Sequence, residues 1–228
     1  MPRSVVVLAP HCDDETLGAG GAIRRHVEEG DDVRVVVATG GSGLTHPLFT
    51  SAQLATVQDE ARAAMRVLNV PEPFIMDLEP VTYPDGARFE INRAVHEVLD
   101  QLAPEVLYVP FPYDLHNDHR ALFHAASVAW RPSTTLGRSI KTILAYEVVS
   151  ETHWQATAFE PAFAPTVWRR LTEEQLASKL DALLCYHSQM ADFPATRSLE
   201  AVEHLARWRG SQVGVAAAEA FVLVRELG

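Results

Sequence analysis

The chain has 228 residues, 47% of them hydrophobic, with a formal net charge of −11 and a pI near 5.3. That length suits one well-buried domain, taken here as 1–228, and is short for two. The acidic balance speaks against nucleic acid or an anionic membrane as the main partner, because both reward basic surfaces.

The opening MPRSVVVLAP is too poor in apolar residues for a signal peptide, and no run approaches the roughly 18–20 apolar residues of a membrane helix. With only Cys12 and Cys185 there is no disulfide framework, so the expectation is a reducing, cytoplasmic setting. SVVVLA (4–9) is a β-branched run of the kind buried on both faces of a sheet. TLGAGGAIRRHVEEG (16–30) reads as a helix closed by Gly30, and DVRVVVATGG (32–41) as a second buried strand. A helix over 52–70 stops before Pro71; strand 74–79, a turn at 84–86, helix 90–104 and strand 105–110 follow. A polar loop then enters a helix within 111–130, with a strand at 141–150, helices at 172–190 and 198–214, and a terminal strand at 218–227. Alternating strands and helices predict an α/β Rossmann-like three-layer sandwich with a mostly parallel sheet. Its active site is expected at the carboxyl ends of the strands, where open parallel sheets bind ligands.

Two polar clusters fall at that edge. After the first strand comes His11-Cys12-Asp13-Asp14-Glu15; after the fourth comes His116-Asn117-Asp118-His119. Adjacent acids repel unless something positive offsets them. A divalent cation held by two imidazoles and one carboxylate, with a position left for water, accounts for the combination. His11 and Asp14 supply two ligands, and one of His116 and His119 supplies the third. Asp13 is then placed to act as general base, the remaining histidine as general acid or oxyanion partner, and Asp118 to orient an imidazole. Each cluster alone has a plainer explanation, since acids at 13–15 could simply cap the following helix and HNDHR could be a capped polar loop. Their occurrence at two equivalent strand ends favours the metal. Cys12 is taken as a small buried hydrophobe, Cys185 as core, and the other histidines as structural or surface residues.

The paired motifs resemble the PIG-L/LmbE-like family of zinc-dependent N-acetylglucosaminyl deacetylases. APHCDDE is similar to that family's post-strand signature, with Cys12 in place of its usual proline, and HNDH matches its second signature. PDG, KLDALLCYHSQM and RWRGSQVGVAAAEAF extend the likeness along the chain. The resemblance implies Zn2+, or another divalent ion, on His11, Asp14 and His119, with Asp13 as base and His116 stabilising the oxyanion or protonating the amine. It implies a homo-oligomer acting on a small N-acylated amino sugar or glycoconjugate. Gln58, where relatives often carry a sugar-binding arginine, is taken with Asp77 and Arg209 as the substrate-binding set. Residues 39–51 and 150–172 are expected to line the pocket. The expected function is metal-dependent removal of an N-acyl, most simply N-acetyl, group. The alternatives are a metal-dependent phosphoesterase and a non-catalytic sugar- or nucleotide-binding relative. GAGGAI departs from the dinucleotide fingerprint G-x-G-x-x-G.

Overall fold

The computed structural model describes residues 2–41, 48–81, 87–156 and 158–228. The first strand, β1 (Ser4–Ala9), lies inside a seven-stranded sheet because its valines and leucine have apolar partners on both faces. Val5, Val7 and Ala9 join one core and Val6 and Leu8 the other, the period-2 alternation of a strand with no solvent face.

β2 (Asp32–Thr39), β3 (Phe74–Leu78), β4 (Val106–Pro110) and β5 (Thr142–Tyr146) extend this sheet in parallel, while β6 (Val167–Arg170) and β7 (Ala218–Glu226) add to it antiparallel. The order is β3-β2-β1-β4-β5-β7-β6, so the winding reverses between β1 and β4. α1 (Asp14–Glu28), α2 (Ser51–Leu68), α6 (Glu173–Leu184) and α7 (Leu199–Ser211) cover one face. α3 (Arg88–Leu102) and α4 (Asn117–Ala129) cover the other, with the short α5 (Thr135–Ser139) leading into the start of β5. This is the predicted α/β sandwich. No helix among the described residues is long and apolar enough to cross a membrane.

Three sequence expectations need correction. The strand VWRR at 167–170 and helix α5 were not foreseen. The helix expected over 172–190 ends at Leu184, and the residues after it bond to other elements: the buried Tyr186 hydroxyl donates to Glu15, and Ser188 donates to Glu60. The 84–86 turn lies outside the described residues. The glycines of GAGGAI are packing glycines: a Cβ on Gly18 would sit 2.2 Å from the Tyr146 ring, and one on Gly21 would strike Leu171. Close approach of α1 to the sheet therefore accounts for these small residues without a nucleotide.

Candidate active site

The crevice between the carboxyl ends of β1 and β4 is the topological switch point of the sheet, and both polar clusters open into it. At the end of β1, Thr39 donates to the Pro10 carbonyl at 2.8 Å and fixes where the chain leaves the sheet. Asp13 then stands before α1 with φ 115°, a conformation side-chain-bearing residues rarely hold. Its backbone N–H donates to Glu15 Oε2 at 3.0 Å, and Glu15 Oε1 accepts from Tyr186 (2.5 Å) and Thr16 (2.6 Å). At the end of β4, His116 caps α4: its Nδ1 accepts from the Asp118 N–H at 3.2 Å.

These turns bring His11, Asp14 and His119 together. Asp14 Oδ2 is 3.1 Å from His11 Nδ1 and 3.2 Å from His119 Nε2. Behind each imidazole stands a carboxylate. His11 Nε2 is 2.8 Å from Asp118 Oδ2, and His119 Nδ1 is 2.8 Å from Asp114 Oδ2, itself held by the Thr152 hydroxyl at 2.6 Å. A carboxylate on the far nitrogen fixes ring orientation and leaves the near nitrogen free to ligate. Asp14 and His119 are wholly buried; among the described residues Asp14 Oδ1 and His119 Nε2 find no hydrogen-bond partner. Buried polar atoms left this way normally have a ligand, and two imidazoles with a carboxylate form a suitable divalent-metal set. The His116 ring is 4.7 Å from that of His11, at the edge of the same group.

The carboxylates set the protonation of the rings around them. Burial disfavours charge on His11, but its bonds to Asp118 and Asp14 outweigh that and lift its pKa to about 9. Burial likewise opposes charge on His119, and the Asp14 carboxylate overrides it, raising the pKa to about 10. His116 is pushed the other way, to about 4, by burial and by the neighbouring His11. Burial raises Asp13 to about 8 against the pull of Arg197. Burial opposes ionisation of Asp14 too, yet the His119 charge holds it well below the usual carboxylate range.

A cavity of about 530 Å³ opens from this group, lined by Asp13, Thr39, Gly40 and the α2 residues Leu54, Val57 and Gln58, among others. Of the expected substrate residues only Gln58 is there, with its side-chain amide donating to the Gly40 carbonyl. Arg209 is elsewhere: it is buried, bound through two nitrogens to Glu147 at 2.8 and 2.6 Å, and sits over the Phe163 ring. Asp77 is exposed beside Gly41 and is not among the described lining residues. The described residues of 150–172 do not line the cavity either; Ser188, Gln189 and Arg197 from the α6–α7 connection do. Within 39–51, residues 42–47 lie outside the described set. Cys12 is in the core as expected, and also touches the cavity.

Sequence reasoning missed Asp114, Tyr186 and Arg197. The five-residue step from Asp114 to His119, one turn before α4, was the available signal for the first. Arg197 Nη1 lies 3.4 Å from Asp13 Oδ2, and Nη2 lies 3.6 Å from Glu151. Val81 was also missed: at φ 69°, its N–H donates to Asp118 Oδ2 at 2.7 Å and ties the loop after β3 to the site.

Fold and site together define an α/β protein with a His/Asp cluster, suited to holding a divalent ion, at the switch point of a mostly parallel sheet. The chain belongs to the PIG-L family, GlcNAc-PI de-N-acetylases, whose family model matches residues 6–130, more than half its length. It is 24% identical over 189 residues to the uncharacterized deacetylase YaiS of Escherichia coli, covering 79% of this chain and 89% of that one. It is 23% identical over 195 residues to a probable N-acetyl-alpha-D-glucosaminyl L-malate deacetylase of Bacillus anthracis, covering 83% and 82%. The N,N'-diacetylchitobiose deacetylase structure from Pyrococcus horikoshii shares the fold, with a TM-score of 0.76 at 21% identity over 96% of this chain and 83% of that one. Family and relatives place the protein among the deacetylases.

Proposed function

We propose that the protein hydrolyses the N-acetyl amide of an amino sugar, using zinc or another divalent cation held by His11, Asp14 and His119. The observation that carries this reading is the convergence of His11 Nδ1 and His119 Nε2 on the Asp14 carboxylate, each ring backed by its own acid. The sugar follows from the family and from the relatives' substrates.

When bound, such a cation acts as a Lewis acid, lowering the pKa of water toward about 7 and polarising the acyl carbonyl. The chain's own groups do the rest. Asp13 faces the cavity with no hydrogen bond to either oxygen among the described residues and Arg197 at 3.4 Å favouring its ionised form, and in that form its carboxylate takes the proton of the attacking water. His116 Nδ1 accepts from the Asp118 N–H, so the neutral ring carries its proton on Nε2 and donates from there to the oxygen that becomes an oxyanion. The proton held on Asp13 then passes to the departing amine. Asp118 and Asp114 keep the two ligand rings in register.

Elemental analysis followed by an acetate-release assay over N-acetylated amino sugars tests the proposal. About one metal per chain and amine-forming turnover are expected. Two metals per chain with phosphoester cleavage and no acetate release would move the site to the phosphoesterase reading.

The Asp13 conformation depends on a chain of bonds from the C-terminal half: Tyr186 to Glu15 to the Asp13 N–H. Tyr186→Phe is therefore expected to lower kcat by about tenfold to a hundredfold, with little change in KM because no substrate contact is removed. Steady-state kinetics on the metal-loaded variant checks this; an unchanged kcat would sever Tyr186 from the reaction.

A further inference from the structure

The wall of the cavity beyond the reacting group is apolar and short of charge. Phe49, Leu54, Val57, Pro80 and Val81 give it its apolar surface, with the uncharged polar residues Gln53, Thr56, Ser188 and Gln189 between them. Among the described lining residues, the ionisable side chains are His11, Cys12, Asp13 and His116 at the reacting end, and Arg197. Arg197 is already engaged, with Nε donating to Ser150 at 3.0 Å and its terminal nitrogens facing Asp13 and Glu151. Gln58 donates its amide to Gly40, and Arg62, one turn further along α2, is held outside the lining by Gln58 Oε1 at 3.4 Å and by ion pairs with Asp59 and Glu72. No cation in this set is left to receive a phosphate or carboxylate carried by the substrate.

The wall is also held in place. Val81 keeps φ 69°, unfavourable for a β-branched residue, while its N–H bonds the same Asp118 oxygen that orients His11. An apolar side chain is thereby fixed at a set distance from the metal group. The volume of about 530 Å³ is more than one N-acetylhexosamine fills, and it falls within the range of sites that enclose larger, mainly apolar ligands.

We infer that the substrate is an uncharged amphiphile: an N-acylated amino sugar bearing an apolar group that seats on the Phe49–Leu54–Val57–Val81 wall. This rests on the amide-hydrolase reading of the same site. The apolar group has two possible points of attachment, an acyl chain longer than acetyl or an apolar aglycone.

Two substrate series on the metal-loaded enzyme separate them. One lengthens the N-acyl chain of glucosamine from acetyl to octanoyl; the other keeps N-acetyl and lengthens the β-glycoside from methyl to octyl. The 1-phosphate of N-acetylglucosamine and N-succinylglucosamine serve as charged controls. One series is expected to climb by about fourfold in kcat/KM per buried methylene until the wall is covered, and the charged controls to fall below N-acetylglucosamine. Leu54→Asn is expected to reduce the long-to-short ratio by about fourfold or more. Calorimetry on the inactive Asp13→Ala protein reads the same preference without turnover. The octyl glycoside or octanoyl amide should bind more tightly than its short counterpart, with a more negative heat-capacity change, the mark of apolar burial. Flat series with equal binding, or a preference for the charged controls, overturn the inference, and continued acetate release from N-acetylglucosamine then leaves the amide-hydrolase reading standing. Absence of turnover on every amide in both series overturns that reading, and the calorimetric comparison then decides the inference by itself.

Discussion

Asp13→Ala is expected to retain its metal and lose turnover by about 10³-fold or more, the scale of a general base that also returns the proton. Asp13 is 3.4 Å from Arg197, and its oxygens accept no hydrogen bond among the described residues, so the substitution leaves the His11–Asp14–His119 group intact. A second variant separates chemistry from stability. Asp13→Gly is expected to be equally slow yet more stable than the parent in the metal-free state, by about 1–2 kcal/mol, because glycine adopts φ 115° without the steric cost. The titration has the same sign. A buried carboxyl whose pKa rises on folding to about 8 opposes folding above its ordinary value near 4, and most strongly once the pH passes 8. Removing it should therefore help most in mild base. Metal analysis, kcat and thermal unfolding at pH 6 and pH 9 test both variants; wild-type turnover in either excludes Asp13 as the base.

The gain expected from removing a catalytic group explains what could be read in the sequence and what could not. The strands β1, β2 and β4 announce themselves because burial on both faces demands unbroken apolar runs, and that demand is local. The His/Asp cluster was legible for a related reason. Ligands at the ends of two adjacent parallel strands come in short spacings, His11 to Asp14 and His116 to His119, that the turns themselves dictate. β6 was hidden because VWRR is a half-exposed edge segment whose identity comes from pairing with β7, and nothing within β7 states which way it runs. Arg197, Tyr186 and Val81 were hidden for the same reason. Each acts through one bond to a residue more than thirty positions away. Arg209 misled in the opposite sense: its RWRG setting resembles the family's C-terminal part, but its charge is paired with Glu147.

Metal removal by a chelator is expected to reduce turnover by about 10³-fold or more and to leave a protein whose stability depends on pH in a way the loaded form does not share. Without the cation, His11 and His119 are the groups that can neutralise Asp14, Asp114 and Asp118, and their pKa values of about 9 and 10 mean both are protonated at neutral pH. A histidine whose pKa rises on folding stabilises the fold fully below its unfolded value of about 6.5, and that contribution is lost as the pH climbs through the folded value. The metal-free protein should accordingly lose thermal stability from about pH 7 to pH 10, whereas the loaded protein, with the imidazoles neutral and ligated, should not. The gap between the two melting temperatures widens with pH. Ligation requires both imidazoles to shed their protons. Binding at pH 7 is thus expected to release about two protons per metal, seen as a dependence of the calorimetric heat on the buffer's ionisation enthalpy. Apparent affinity is expected to rise by as much as about a hundredfold per pH unit below pH 9. A cation that bound with no proton release and an affinity independent of pH would be sitting somewhere other than between His11 and His119.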